Sequence, residues 1–143
     1  MIKKLLALLT GTTTPSRQPA VVDNEESENE LTDEEQEKYI KLVQLVQMKC
    51  QFAEGSLENI DGSGSEDDIY ETERVEKFVE TSLSHSEEIH DDFYKSAALH
   101  SIADLLSKAG QYDRASKLIE QITEEFIQEK ATEFLAQQKS QSL

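Results

Sequence analysis

The sequence has no tryptophan, one cysteine, two prolines, five glycines, and only 14 Lys or Arg against 30 Asp or Glu. Each shortage excludes something. With Cys50 as the lone thiol no internal disulfide can form, which removes the stapled secreted mini-proteins from consideration. No run of about 18 apolar residues occurs, so no segment reads as a membrane span. The deficit of bases argues against nucleic acid as a direct ligand, because DNA affinity rests on Lys and Arg meeting phosphate. There is no phosphate-cradling glycine loop, no Cys pair and no Gly-x-Ser-x-Gly elbow. The chain is therefore expected to be no enzyme, with no catalytic, cofactor-binding or metal-binding residues assigned.

What remains is 143 residues, enough for one small domain, with a formal net charge of −16 that is unevenly spread. Residues 1–22 carry Lys3, Lys4 and Arg17 and no acid. Residues 23–53 hold nine acids and three lysines, and residues 54–92 hold fourteen acids against Arg74 and Lys77 alone. Residues 93–143 are nearly balanced, with seven acids and six bases. The middle of the chain is thus a self-repelling acidic stretch, and the last third is composed like an ordinary globular surface.

Residues 1–10, MIKKLLALLT, place Ile2, Leu5, Leu6 and Leu9 on one face of a helical projection, beside Lys3 and Lys4. The apolar run from Leu5 to Leu9 is too short for an export signal, and no small-residue cleavage site follows. The segment suits contact with an anionic membrane surface or a partner. Residues 11–30, including TTTPSRQP and DNEESENE, have almost nothing to bury and are expected to be a disordered tether.

From residue 31 to 139 the pattern is helical, and no period-two strand is legible. Thr32 and Glu35 form a capping box for a helix over 32–54. Tyr39, Leu42, Val43, Val46, Cys50 and Ala53 make its stripe, and Gly55 is expected to end it. A second helix over 69–83 carries Val75, Phe78, Val79 and Leu83, is capped by Ser65, and presents Glu71 on an exposed acidic face. Ser84, His85 and Ser86 are expected to interrupt it, with Ser86 capping a third helix over 87–109. Gly110 ends that helix, a fourth follows over 112–125 and a fifth over 129–138, leaving 140–143 as a polar tail. The fold class is all-α, a small helical bundle.

Two tempting sites fail on spacing. Ser56 to Asp68 resembles a calcium loop, but counting from Asn59 puts Tyr70 at the position that needs a bidentate Glu, and counting from Asp61 puts Glu66 where Gly belongs. Glu87-x-x-His90 has the spacing of a di-iron ligand pair, yet such a site needs two of these motifs and two further carboxylates. His100 is not three residues beyond an acid, so it makes no second motif. Cys50 reads as a buried small hydrophobe, with no His or cation beside it in sequence.

Residues 94–139 hold the one motif of note. Leu99, Ile102, Ala103 and Leu106, then Gly110, Tyr112, Ala115, Leu118 and Ile122, space small and large apolar residues across a helix, a turn and a helix. This resembles a tetratricopeptide repeat, most clearly in AGQYDRA. The resemblance implies that Ala103 and Ala115 let paired helices approach, that Gly110 makes the turn and that Tyr112 fills the wedge. KATEFLA echoes KSAALHS at a 35-residue offset, so a second unit begins at Lys130. The family's usual Pro position is Ile127, and only one complete unit and a fragment are visible. The helices over 32–54 and 69–83 are expected to substitute for missing units by packing as flanking helices. An ordinary bundle with a look-alike hairpin is the alternative.

The resemblance implies an adaptor or assembly factor that binds another protein through a groove. His100, Asp104, Ser107 and Lys108, on the exposed side of the unit's first helix, are the groove candidates. Two alternatives stand beside it. One is an acidic nucleic-acid mimic or inhibitor binding a basic protein, motivated by residues 54–92. The other is a peripheral membrane protein held by residues 1–10. The expected setting is cytoplasmic.

Overall fold

The computed structural model describes residues 30–142, so the N-terminal segment, all of the tether before Glu30 and Leu143 lie outside the described residues. Five helices account for the described chain, and no strand occurs among the described residues. The all-α class stands.

Helix α1 spans Asp33–Glu58. Its capping box forms as expected, with the Glu35 N–H donating to Thr32 Oγ1 at 3.0 Å and the Thr32 N–H donating to Glu35 Oε1 at 2.9 Å. The expected stop at Gly55 is wrong. Gly55 keeps helical backbone, and the helix runs on to its cap at Asn59. Packing explains this: Ser56 is buried and Leu57 leans on the core, and that last turn offsets the ~1 kcal/mol that Gly costs inside a helix.

The connection to α2 is organised by one carboxylate. Buried Asp68 accepts from the Asp61 N–H at 3.0 Å and the Gly64 N–H at 3.1 Å, while its own N–H donates to the Ser65 cap at 3.2 Å. Asp61 in turn accepts from the Ser63 N–H at 2.9 Å, and hydrogen bonds from Ser63 hold its carboxyl below the usual range. The loop is held by its own backbone donors.

Helix α2 spans Glu66–Glu87, starting earlier and ending later than the expected 69–83. Ser84, His85 and Ser86 do not break it. The Ser86 hydroxyl donates to the Leu83 carbonyl at 2.7 Å, so it serves its own helix and caps nothing. Glu71 is not on a free face either: its carboxylate accepts from Asn59 Nδ2 at 2.8 Å, and its side chain is only 13% exposed.

Helix α3, Asp92–Lys108, starts five residues later than expected because Asp91 is its cap, with Asp91 Oδ2 accepting from the Tyr94 N–H at 2.9 Å. Its end follows expectation. Gly110 adopts φ +78°, its N–H donates to the Ser107 carbonyl at 3.1 Å, and the Gln111 N–H donates to Leu106 at 2.9 Å. This pair of reversed bonds is the Schellman stop that a left-handed Gly allows.

Helix α4, Tyr112–Glu120, is shorter than the expected 112–125, and α5, Glu125–Gln141, is longer than 129–138 and takes in the first half of the supposed tail. Side chains make the break between them. Gln128 Nε2 donates to the carbonyls of Ile119 and Ile122 at 3.0 and 3.2 Å, and Ser96 Oγ accepts from the Thr123 and Glu124 N–H groups at 3.3 Å each. Ending α4 there lets Ile127, Ala131 and Leu135 of α5 join the core.

Contacts follow chain order. Helix α3 touches all four others, α1 pairs with α2, and α4 pairs with α5. Among the described residues α1 makes no helix contact with α4 or α5, and α2 makes none with α5. Side-chain pairs give the directions. Tyr39 meets Tyr94 near the starts of α1 and α3, and Glu54 meets Lys108 near their ends, so the two run parallel. Ser96 meets Thr123 before the start of α5, and the Tyr112 hydroxyl beyond the end of α3 donates to Gln138 near the end of α5, so α5 runs the same way. Helix α2 runs antiparallel to α1, as Asn59 with Glu71 and Phe52 with Phe78 show. Two hairpins and a fifth helix are thus stacked, with α1, α3 and α5 side by side and parallel.

Leu99, Ile102, Ala103, Leu106, Ala115, Leu118 and Ile122 are all buried in one continuous core. Tyr112 is half-buried, and its hydroxyl ties the start of α4 to α5 at 3.3 Å. No described helix is long and apolar enough to cross a membrane.

Candidate functional site

The stacking leaves a concave strip along the three parallel helices. Gln47, Cys50, Gln51 and Glu54 reach it from α1, Ser101, Asp104 and Lys108 from α3, and Phe134 from α5, around a cavity of about 430 Å³. Helical spacing explains the lining. Gln47, Gln51 and Glu54 fall at steps of four and three, as do Ser101, Asp104 and Lys108, so each set forms one ridge. The space between the ridges is the groove.

Lys108 is its electrostatic centre. The ammonium donates to Glu54 Oε1 at 2.7 Å, and it lies 5.7 Å from the centroid of the Phe134 ring. The side chains of Lys108 and Glu54 remain 38% and 37% exposed, so the pair is solvated and contributes little to folding, at most ~1 kcal/mol. A pair of that kind can be exchanged for contacts to a bound chain. One turn back, His100 Nε2 stands 3.3 Å from Asp104 Oδ2, while Asp104 Oδ1 is shielded from solvent with no hydrogen-bond partner among the described residues. The groove therefore offers a cation, two carboxylates, amide side chains and an aromatic wall.

Of the four groove candidates, three keep that character. Asp104 and Lys108 line the cavity, and His100 flanks it through its contact with Asp104. Ser107 does not. It is 1% exposed, and its hydroxyl donates to the Ala103 carbonyl of its own helix at 2.9 Å, which leaves nothing of it for a partner. Counting helical positions from Lys108 puts Ser107 one residue, about 100°, round the helix towards its neighbours.

Cys50 is buried, as expected for a small hydrophobe. Burial pushes its thiol up from the ordinary 9.0 to about 12, and the Ser82 hydroxyl beside it opposes this less strongly. The thiol is unreactive ballast in the floor of the groove. Among the described residues, no group of three or more His, Cys, Asp or Glu is placed to hold a metal ion.

Reasoning from sequence missed the α1 ridge and Phe134. The α1 stripe was legible, and so was its breadth, but nothing local says that Gln47, Gln51 and Glu54 face Ser101, Asp104 and Lys108 some fifty residues on. Compared with models of known protein families, with characterised proteins and with solved structures, the chain gave no significant match.

Proposed function

We propose that this chain is a non-catalytic protein-interaction module, an adaptor whose stacked helical hairpins resemble tetratricopeptide repeats and hold a segment of a partner protein in the groove of α1, α3 and α5. The observation that carries the proposal is the neighbour order: α1–α2 and α3–α4 are successive hairpins, and their first helices run parallel with α5 beside them. Repeats of two helices stack in this way, each touching only the next, and line a concave face with equivalent helices. In this reading α1 and α2 form a hairpin unit of their own, and α5 closes the stack. His100, Asp104 and Lys108 are the partner-binding residues on α3, joined by Gln51, Glu54 and Phe134.

The chemistry of the groove suits an extended or helical peptide. The Gln47 and Gln51 amides supply donors and acceptors for a backbone, Phe134 a surface for an apolar side chain, and the Glu54–Lys108 pair a place for either charge. The acidic-mimic alternative is less well supported, because Asp68 is committed to its loop and Glu76 is tied to Arg114 by two bonds at 2.8 and 2.9 Å. A cytoplasmic setting belongs to the proposal, since a lone free thiol suits a reducing compartment. The membrane alternative rests on residues 1–10, which lie outside the described residues.

The test is affinity capture from source-organism lysate with the full chain and with a Gln51→Arg/Ser101→Arg variant, which fills the groove from both ridges. A partner retained by the wild-type chain and lost from a variant that melts normally supports the proposal. Identical capture by both, or capture of nothing at low and high salt, overturns it.

A further inference from the structure

A second surface lies on the side of α1 turned away from α3. Met48 is 44% exposed and Phe52 55% exposed, whereas Val46, Cys50 and Ala53 on the opposite side are buried. Phe52 meets Phe78 of α2 with ring centroids 6.2 Å apart, and the two helices enclose a shallow groove of about 300 Å³ lined by Lys49, Arg74, Lys77, Phe78 and Thr81. The Arg74 guanidinium stands 5.7 Å from the Phe78 ring centroid and 5.8 Å from that of exposed Tyr70. Aromatic rings and cations are therefore interleaved on one exposed patch.

The charge of this patch opposes that of the chain. Residues 54–92 hold fourteen acids and only two bases, Arg74 and Lys77, and both are here, joined by Lys49 from the neighbouring helix. Elsewhere Lys41, Lys108 and Arg114 find close carboxylates at 3.1, 2.7 and 2.8 Å, while Lys38, Lys95, Lys117, Lys130 and Lys139 stand singly on the surface with no such partner among the described residues. Among the described residues, Lys49 and Lys77 have no carboxylate within ion-pair distance, and Arg74 has only Glu71 at 3.9 Å. Cations left without close carboxylates on so acidic a protein, around rings left without cover, are complementary to an anion that brings its own apolar group.

We infer that this α1–α2 patch is a docking surface for a short acidic segment of another protein, its carboxylates meeting Lys49, Arg74 and Lys77 and a Leu or Phe side chain resting on Phe52 and Phe78. A nucleic acid fits the patch poorly. Three cations are few beside the roughly 6–10 phosphate contacts of a strongly salt-dependent DNA binder. The surface is separate from the groove of α1, α3 and α5 and does not depend on it.

Fluorescence anisotropy tests this with the full chain and a labelled Glu-rich peptide carrying Leu and Phe, against a control in which every Glu is Lys. The Glu peptide is expected to bind, more weakly as salt rises, and the Lys peptide is not. Lys49→Glu/Arg74→Glu/Lys77→Glu should weaken binding by more than about tenfold. Phe52→Ser should weaken it without a change of charge, and Ser101→Arg in the other groove should leave it unchanged. Circular dichroism melting confirms that each variant is folded. Equal binding of the two peptides, indifference to the triple variant, or loss through Ser101→Arg overturns the inference. So does displacement of the peptide by single-stranded DNA. Tighter binding by a chain beginning at Glu30 would show the protein's own acidic segment as the occupant. A salt-sensitive dimer abolished by the triple variant would show a second copy there. Either result also overturns it.

Discussion

Glycine 55 gives two opposite expectations for one substitution. If Gly55 ended its helix in the left-handed region, Gly55→Ala would cost about 1–2 kcal/mol of backbone strain. In the structure the helix continues three residues past it, its φ is not positive, and a Cβ added there meets no atom within 4 Å. Ala then removes only the entropy that Gly forfeits on folding, a gain of about 0.8–1.0 kcal/mol. Part of that gain comes from stiffening the unfolded chain. For a domain of this size it corresponds to a rise of about 4 °C in melting temperature, or a urea midpoint shift of about 0.5 M. Gly110 is the control. Its φ is +78° and the space around it is equally open, so Gly110→Ala carries strain without a clash and should lose about 1–2 kcal/mol. Both are measured by circular dichroism during heating and in urea. A Gly55→Ala variant less stable than wild type would refute the continuous α1 and, with it, the placement of Ser56 and Leu57 against the core.

Four further outcomes follow from packing and charge. Ala115 is 0% exposed, and Ala115→Asp, which puts a carboxylate where α4 meets its neighbours, should cost several kcal/mol and unfold the C-terminal helices; an unchanged melting curve would mean that the α3–α4 contact is wrong. Cys50 should resist a thiol reagent at pH 8, where a thiol at about 12 is ionised in only about one molecule in ten thousand, and should react fully in urea. Because the folded thiol ionises above the ordinary 9.0, the unfolded chain loses its proton first, so stability should fall as pH rises above about 9, and Cys50→Ala should remove that loss. With a net charge of −16, the melting temperature should rise between low salt and about 0.3 M NaCl as repulsion is screened.

Helix type and core were legible because they are written in local spacing. The stripes of α1 and α3 and the stop at Gly110 needed only positions three or four residues apart, and all the core residues of the repeat-like motif except the Gly110 turn and half-buried Tyr112 are buried. The boundaries failed where two nearby polar side chains competed for the cap, or where a distant contact decided the end. Ser86 looks like a cap in sequence, but a carbonyl three residues back takes its hydroxyl, and Asp91 caps α3 in its place. The end of α4 depends on Ser96 and Gln128, one of them 27 residues from its partner at Thr123. The groove was half legible for the same reason. Asp104 and Lys108 show as the polar side of α3, but the opposing ridge on α1 is set by the parallel stacking of two helices with α2 between them in the chain, which no local pattern encodes. Ser107 failed because a buried serine that bonds its own helix has the same letter as an exposed one.

The central claim is that the face shared by α1, α3 and α5 is where a partner sits. A photo-crosslinking side chain at Gln51 on the α1 ridge, at Ser101 on the α3 ridge and at exposed Lys117 on α4 tests it inside the source cells. The account expects Gln51 and Ser101 to cross-link to the same partner and Lys117 to give none. Cross-linking from Lys117, with none from the two groove positions, would contradict it.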